Sequence, residues 1–456
     1  MAKARTVFTC QNCGTQSPKW LGRCSECKSW NSFVEETYEN KVITPENLQV
    51  RNIASSEDAV SIADVDIAEE ARLQTGLSEF DRVCGGGLVS GSVLLIGGDP
   101  GVGKSTMVLQ VLNRLAENEV DVLYVTGEES IRQVRLRAER LQTLNKKLIV
   151  AAQNDTAKIK ALVKQVKPAV LVVDSIQTMY TPDLSSAPGS VSQVRESAMR
   201  IASLSKRLNM TSLLIGHVTK DGSLAGPRVL EHMVDCVITF EGEQGYPFRV
   251  LRATKNRFGS TNEVGVFEMT RDGLIEVDNP SQLFLAERPT DEPGSVVTVS
   301  IEGTRPLLVE VQALVSPSGF GTPRRTCIGV DPNRVALLAA VLEKKAGLDL
   351  VGCDIFVNVA GGVRLSEPAV DLGIACALAS SLVDRPIPKE TLVFGEIGLA
   401  GELRSVGQPE LRLKEAEKMG FTSAIMPGIS GNKIPKPDKI KMEGIKTISQ
   451  AIDLLF

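Results

Sequence analysis

The chain has 456 residues, 43% of them apolar and 4% aromatic, with 39 glycines and a formal net charge of −4. This composition fits a globular α/β protein of roughly three domains, at about 150 residues each, and excludes a collagen-like or disordered chain. So small a negative charge gives no global pull toward nucleic acid, which leaves local basic surface, or a ring of subunits that pools it, to do any such binding.

The sequence opens Met1-Ala2-Lys3-Ala4-Arg5 and runs straight into cysteines, with no apolar leader. No stretch reaches the roughly 18 apolar residues of a membrane helix. A cytoplasmic protein with no membrane partner is expected. Of nine cysteines, four crowd into the first thirty residues. Cys10-x2-Cys13 and Cys24-x2-Cys27 make two knuckles, with Gly14 and Gly22 suited to the turns. Four thiolates satisfy tetrahedral Zn²⁺ and leave no open position, so the metal is expected to be structural. A module this small needs such a staple to fold. Lys3, Arg5, Lys19, Arg23 and Lys28 with Trp20 and Trp30 suit contact with nucleic acid or protein, unless the tryptophans form the module's own core. The module is expected to span residues 1–35, followed by a polar, acidic linker over 36–70.

Over 71–280, β-branched runs alternate with amphipathic stretches, which predicts a parallel sheet covered on both faces. Strands are expected at Ser92–Ile96, Val122–Val125, Ala169–Asp174 and Ser212–Gly216. Helices are expected at Met107–Glu117, Ile131–Leu141, Thr156–Val166 and Val191–Leu208. Between the first strand and first helix runs Gly98-Asp99-Pro100-Gly101-Val102-Gly103-Lys104-Ser105-Thr106. Strand, glycine-rich turn and helix are the context of a phosphate-binding loop, whose backbone N–H groups and helix dipole attract phosphate. Lys104 is expected to reach the β- and γ-phosphates of ATP and Ser105 to ligate Mg²⁺. Asp174 closes an apolar strand where a second carboxylate for the metal belongs. Glu128 and Glu129 follow a strand expected to lie next to the phosphate-loop strand. Glu128 is the expected base that orients the attacking water, with Glu129 its companion.

The motifs CxxC…CxxC, GDPGVGKST, YVTGEES, LVVDSIQT, LIGHVTKDGSLAGPRVLEHMVD and KNRFG occur in this order. Together they resemble the bacterial RadA (Sms) family of DNA-repair proteins over nearly the whole chain. The resemblance implies a RecA-like P-loop ATPase core that forms homohexamers, binds single-stranded and branched DNA, and acts as a branch-migration helicase in recombination. A RecA-type recombinase is an implied partner. By the same resemblance His217 takes the place of a γ-phosphate sensor, and Lys220 and Arg228 sit on a DNA-contacting loop. Lys255 and Arg257 of KNRFG would reach a neighbouring subunit's ATP as an arginine finger does, or contact DNA.

Over 290–456 a second α/β unit has strand-like runs at Val296–Ile301, Leu307–Ala313, Ile355–Val359 and Leu392–Gly395. Its helix-like runs are Pro332–Ala346, Ala369–Ser381 and Pro409–Met419. The runs NVAGG, PAVDLGIACALASS and LVFGEIGLAGELRSVG resemble the proteolytic domain of Lon. The serine nucleophile falls on Ala369 and its lysine on Glu410, so a protease-like fold without protease chemistry is expected. An ATP-dependent protease is the disfavoured alternative, and an ATP-driven switch of the KaiC type, which shares the paired glutamates, is weaker still. Lys433, Lys436, Lys439 and Lys441 make the tail basic.

Overall fold

The computed structural model describes residues 5–11, 14–38, 72–216, 229–242, 247–261, 263–289, 291–319, 322–428 and 439–456. The chain divides into two compact units, Met1–Gly242 with Arg249–Glu276, and Glu243–Phe248 with Val277–Phe456. Among the described residues no helix is long and apolar enough to cross a membrane.

The N-terminal residues form a three-stranded antiparallel sheet in the order β2-β1-β3, from β1 (Arg5–Cys10), β2 (Gln16–Ser17) and β3 (Phe33–Tyr38). The main sheet of the first unit has nine strands: β4 (Val93–Gly98), β5 (Val122–Thr126), β6 (Leu148–Ala152), β7 (Val170–Asp174), β8 (Thr211–Ile215), β9 (Cys236–Glu241), β10 (Phe248–Asn256), β11 (Val264–Thr270) and β12 (Gly273–Glu276). Their spatial order is β12-β11-β10-β9-β4-β8-β7-β5-β6. From β9 to β6 all neighbours are parallel, which puts every carboxyl end on one edge.

Alternate residues of this sheet feed opposite cores, as a doubly covered parallel sheet requires. Leu94, Ile96, Tyr124, Val172 and Leu213 pack with Met107, Leu109 and Leu112 on one face. Val93, Leu95, Leu123, Val173 and Leu214 pack with Ile159, Val163, Val194 and Ile201 on the other. The helices start on side-chain caps that satisfy free backbone N–H groups. Ser130 and Gln133 form a reciprocal box before helix Ile131–Arg140, Asp155 caps Thr156–Val166 and Ser190 caps Val191–Leu208. The four expected strands and four expected helices are all present. The first helix begins earlier than expected, at Lys104, because the end of the phosphate-loop motif is itself its first turn.

The second unit is built on β13 (Ser295–Glu302), β14 (Arg305–Pro317), β15 (Arg325–Ile328), β16 (Cys353–Val359), β17 (Thr391–Val393), β18 (Glu396–Ile397), β19 (Leu403–Arg404), β20 (Ser423–Pro427) and β21 (Lys441–Ile445). Seven of these form one mixed sheet, β15-β16-β14-β13-β17-β20-β21, while β18 and β19 pair separately. Helices Pro332–Ala346, Asp371–Val383 and Pro409–Lys418 accompany the sheet, the first capped by Asp331 with proline at its first position. The middle one begins two residues later than expected, since Pro368–Val370 is a separate tight turn.

Candidate active site

The candidate phosphate loop leaves the carboxyl end of β4 and enters helix Lys104–Glu117. Gly101 (φ +80°) and Gly103 (φ +119°) adopt left-handed backbone that L side chains rarely take, and a side chain on Gly101 would meet nothing. Open space over bared backbone N–H groups is what a phosphate needs. Asp99 and Pro100 are exposed at the crest and Val102 is buried beneath it, while Ser105 and Thr106 are half-buried in the helix's first turn. Lys104 is buried, and its Nζ donates to the carbonyls of Gly98 (2.7 Å) and Asp99 (2.9 Å). Burial lowers the ammonium's pKa, opposed by the attraction of Asp174, Asp99 and Glu128. A lysine that among the described residues donates only to loop carbonyls, with carboxylates facing it, fits a site made for phosphate and a divalent cation.

Asp174 ends β7, buried, and accepts a short hydrogen bond from the Tyr124 hydroxyl. That phenol's pKa is raised, by burial first and by Asp174 second, so it acts as a donor. Ser175, fully buried, donates a short hydrogen bond to Glu128 Oε1. Thr126 Oγ1 accepts from the backbone N–H groups of Glu128 (3.3 Å) and Glu129 (3.0 Å), fixing the turn that presents both carboxylates. Glu129 does not join its neighbour: Arg137 holds it in a close ion pair.

One expectation is corrected here. The strand before Glu128, β5, is not beside β4; β8 and β7 lie between them. Glu128 is set level with Asp174 instead by the parallel pairing of β5 with β7, in which Thr126 faces Asp174. The motifs YVTGEES and LVVDSIQT include Tyr124 and Ser175 without giving either a role, and no motif reaches Arg249, whose Nε donates to the Val102 carbonyl (3.1 Å) behind the loop. Their partners come from other strands, so the only linear signal is a tyrosine inside an otherwise aliphatic strand.

The KNRFG motif occupies the opposite edge of the sheet. Asn256 pairs with Cys236, and Cys236 with Leu94 near the start of β4. Lys255 and Arg257 are therefore separated from the phosphate loop by about 13 Å of strand. Lys255 Nζ donates to the carbonyls of Glu231 (2.6 Å) and Val234 (2.7 Å). Its pKa is lowered, by burial and then by Arg257. The Arg257 side chain is 58% exposed, and its guanidinium lies 3.5 Å from Asp235. His217, Lys220 and Arg228 lie outside the described residues.

In the N-terminal sheet the sulfurs of Cys10, Cys24 and Cys27 lie within 4.8 Å of one another, with Cys10 and Cys27 3.6 Å apart. Tetrahedral zinc with Zn–S near 2.3 Å sets sulfurs about 3.8 Å apart, so these three fit the metal. Cys13 lies outside the described residues. The core here is Cys10, Cys24 and Phe33, and the tryptophans are not part of it.

In the second unit, Ala369 is buried in the Pro368–Val370 turn, where its carbonyl accepts from Gly395 N (2.7 Å). Glu410 is exposed in the first turn of helix Pro409–Lys418. The charge buried nearby is Arg412, which pairs closely with Glu367, donates to the Val299 carbonyl (2.8 Å) and lies over the Phe394 ring. Neither Ala369 nor Glu410 can supply serine–lysine chemistry. Of the lysine tail, Lys439 and Lys441 are described, and Lys441 pairs with Glu443.

Three family models match the chain: a rubredoxin metal binding domain over residues 8–35, an AAA domain over 57–223, and subunit ChlI of Mg-chelatase over 332–429. The fold is thus an ATPase core between an N-terminal zinc ribbon and a C-terminal Lon-like domain. DNA repair protein RadA of Bacillus subtilis (strain 168) is 49% identical over 452 residues, 99% of each chain. DNA repair protein RadA of Streptococcus pyogenes serotype M1 is 50% identical over 456 residues, the whole of both. That of Listeria monocytogenes serovar 1/2a is 48% identical over 99% of each chain. The chain belongs to the family of the DNA repair protein RadA.

Proposed function

We propose that this chain is a DNA-dependent ATPase that binds single-stranded and branched DNA, assembles as a homohexamer, and drives branch migration of recombination intermediates in DNA repair. The observation that carries it is the split of charge across the nine-stranded sheet. Lys104, Asp174 and Glu128 gather at one edge, while Arg257 stands exposed at the other. A cation so far from its own loop cannot serve its own nucleotide, and a ring gives it a neighbour's to serve.

In this account Lys104 exchanges its loop carbonyls for phosphate oxygens, and the backbone at Gly101–Gly103 holds the remaining phosphate charge. Ser105 and Asp174 would hold Mg²⁺, which would neutralise charge on the phosphates when bound. Glu128, oriented by Ser175, positions the attacking water and accepts its proton. Arg257 of one protomer completes the site of the next. Lys255, already bonded to the Glu231 and Val234 carbonyls, anchors the segment that carries Arg257. His217 as phosphate sensor and Lys220 and Arg228 as DNA contacts rest on the family likeness alone. So does partnership with a RecA-type recombinase, and a cytoplasmic location is proposed with them. Structural Zn²⁺ held by the ribbon cysteines keeps that module folded.

The test is ATP hydrolysis with and without single-stranded DNA, paired with strand separation on forked DNA. Stimulated hydrolysis and ATP-dependent unwinding, both lost in Lys104→Ala, are expected. Hydrolysis indifferent to DNA, with no strands separated, would contradict the proposal.

A further inference from the structure

The N-terminal ribbon keeps its largest apolar side chains outside. Trp30 is 70% exposed and Trp20 53%, with Leu21 beside it at 40%. So small a module would ordinarily spend its aromatic rings on its own core. Here cysteines and Phe33 fill that core; Trp20 Nε1 donates to the Phe33 carbonyl (3.2 Å), and both indole rings stay outside it, largely exposed.

Both rings flank one short hairpin. Arg23 pairs with Trp30 across it, and Asn31 N donates to the Gly22 carbonyl (2.8 Å). The Trp20 ring lies 3.7 Å from where a side chain on Gly22 would begin. Cations are interleaved with these rings. The Arg23 guanidinium sits 5.6 Å from the Trp30 ring centroid, and Lys19 and Lys28 are exposed nearby. Glu26 is the one acidic residue in positions 16–34.

We infer that this face is a stacking platform for unpaired bases of single-stranded DNA, with Lys19, Arg23 and Lys28 meeting the phosphates. Indole faces stack on any base, which gives binding without sequence preference, and cations along the same path track the backbone. An arginine already lying over an indole extends the flat surface and adds its charge. Lysines are depleted from the centre of protein–protein interfaces, so their place beside the rings favours the nucleic acid. The inference rests on the DNA-directed function proposed above and adds a contact outside the ATPase core.

The chain has only two tryptophans, Trp20 and Trp30, so the intrinsic indole emission of the full-length protein reports this face alone. Labelled oligothymidylate is titrated while its anisotropy and the indole emission are followed together. Emission should fall in step with the anisotropy rise. Trp30→Ala, with zinc content as the check on folding, should bind about tenfold more weakly, and Trp30→Phe should recover most of the loss. Rising anisotropy with unchanged emission, or wild-type affinity in Trp30→Ala, overturns the platform and leaves DNA binding intact. No change in either signal brings down the DNA-directed function itself. Emission that responds to an added recombinase but not to the oligonucleotide assigns the face to a protein and overturns the inference.

Discussion

The carboxyl edge of the nine-stranded sheet and the Lon-like centre of the second unit treat charge in opposite ways. At the first, among the described residues, Lys104 donates only to loop carbonyls, the exposed Glu128 accepts from Ser175, and Gly101 leaves open space. At the second, the position that would bear a nucleophile is a buried alanine, and the buried cation is closed off by Glu367, a carbonyl and an aromatic ring. A site built to take a ligand keeps its charges bonded to groups that the ligand can replace. A centre whose charges are tied to permanent partners uses them for the fold.

That contrast can be broken by mutation. The largest effect is expected from Lys104→Ala, which should lower ATP turnover by about a thousandfold, roughly 4 kcal/mol of transition-state stabilisation, in a protein that still folds. Steady-state hydrolysis checks it, and a small effect would mean that Lys104 is not poised for phosphate. Arg412→Met should do the reverse, destabilising the second unit by about 3 kcal/mol in chemical denaturation, because Glu367 loses its buried partner. Tyr124→Phe removes the donor to Asp174 and should raise the Mg²⁺ concentration needed for half-maximal hydrolysis about tenfold, as loss of a partner behind a metal ligand does. An unchanged Mg²⁺ requirement would make the tyrosine mere packing. The smallest effect is expected from Ala369→Ser, which should leave peptidase activity at background with or without ATP, since no lysine stands at Glu410 to activate it. ATP-stimulated cleavage in that variant would mean that the centre can still do that chemistry.

The parts of the site carried on continuous chain were legible in the sequence. A glycine turn between strand and helix, and a carboxylate closing an aliphatic strand, announce themselves because each is one local structure. Chain order alone points Glu128 to the wrong neighbouring strand. Chain order suggests that β5 follows β4 in space, yet two later strands insert between them, and hydrophobic patterning carries no record of pairing partners. The same limit hides the partners of Tyr124, Ser175 and Arg249, since their hydrogen bonds reach across to other elements. In the ribbon, the sequence left open whether the tryptophans form a core. Ligand cysteines packed with Phe33 leave them none to form.

In the proposed ring, one protomer's loop and the next protomer's Arg257 would make a single ATPase site. The most direct test mixes Lys104→Ala and Arg257→Ala proteins, each nearly inactive alone, in equal amounts and measures hydrolysis in the presence of single-stranded DNA. Shared sites predict recovery toward about a quarter of the wild-type rate, because some interfaces then join an intact loop to an intact arginine. Activity no greater than the sum of the separate variants would contradict the account.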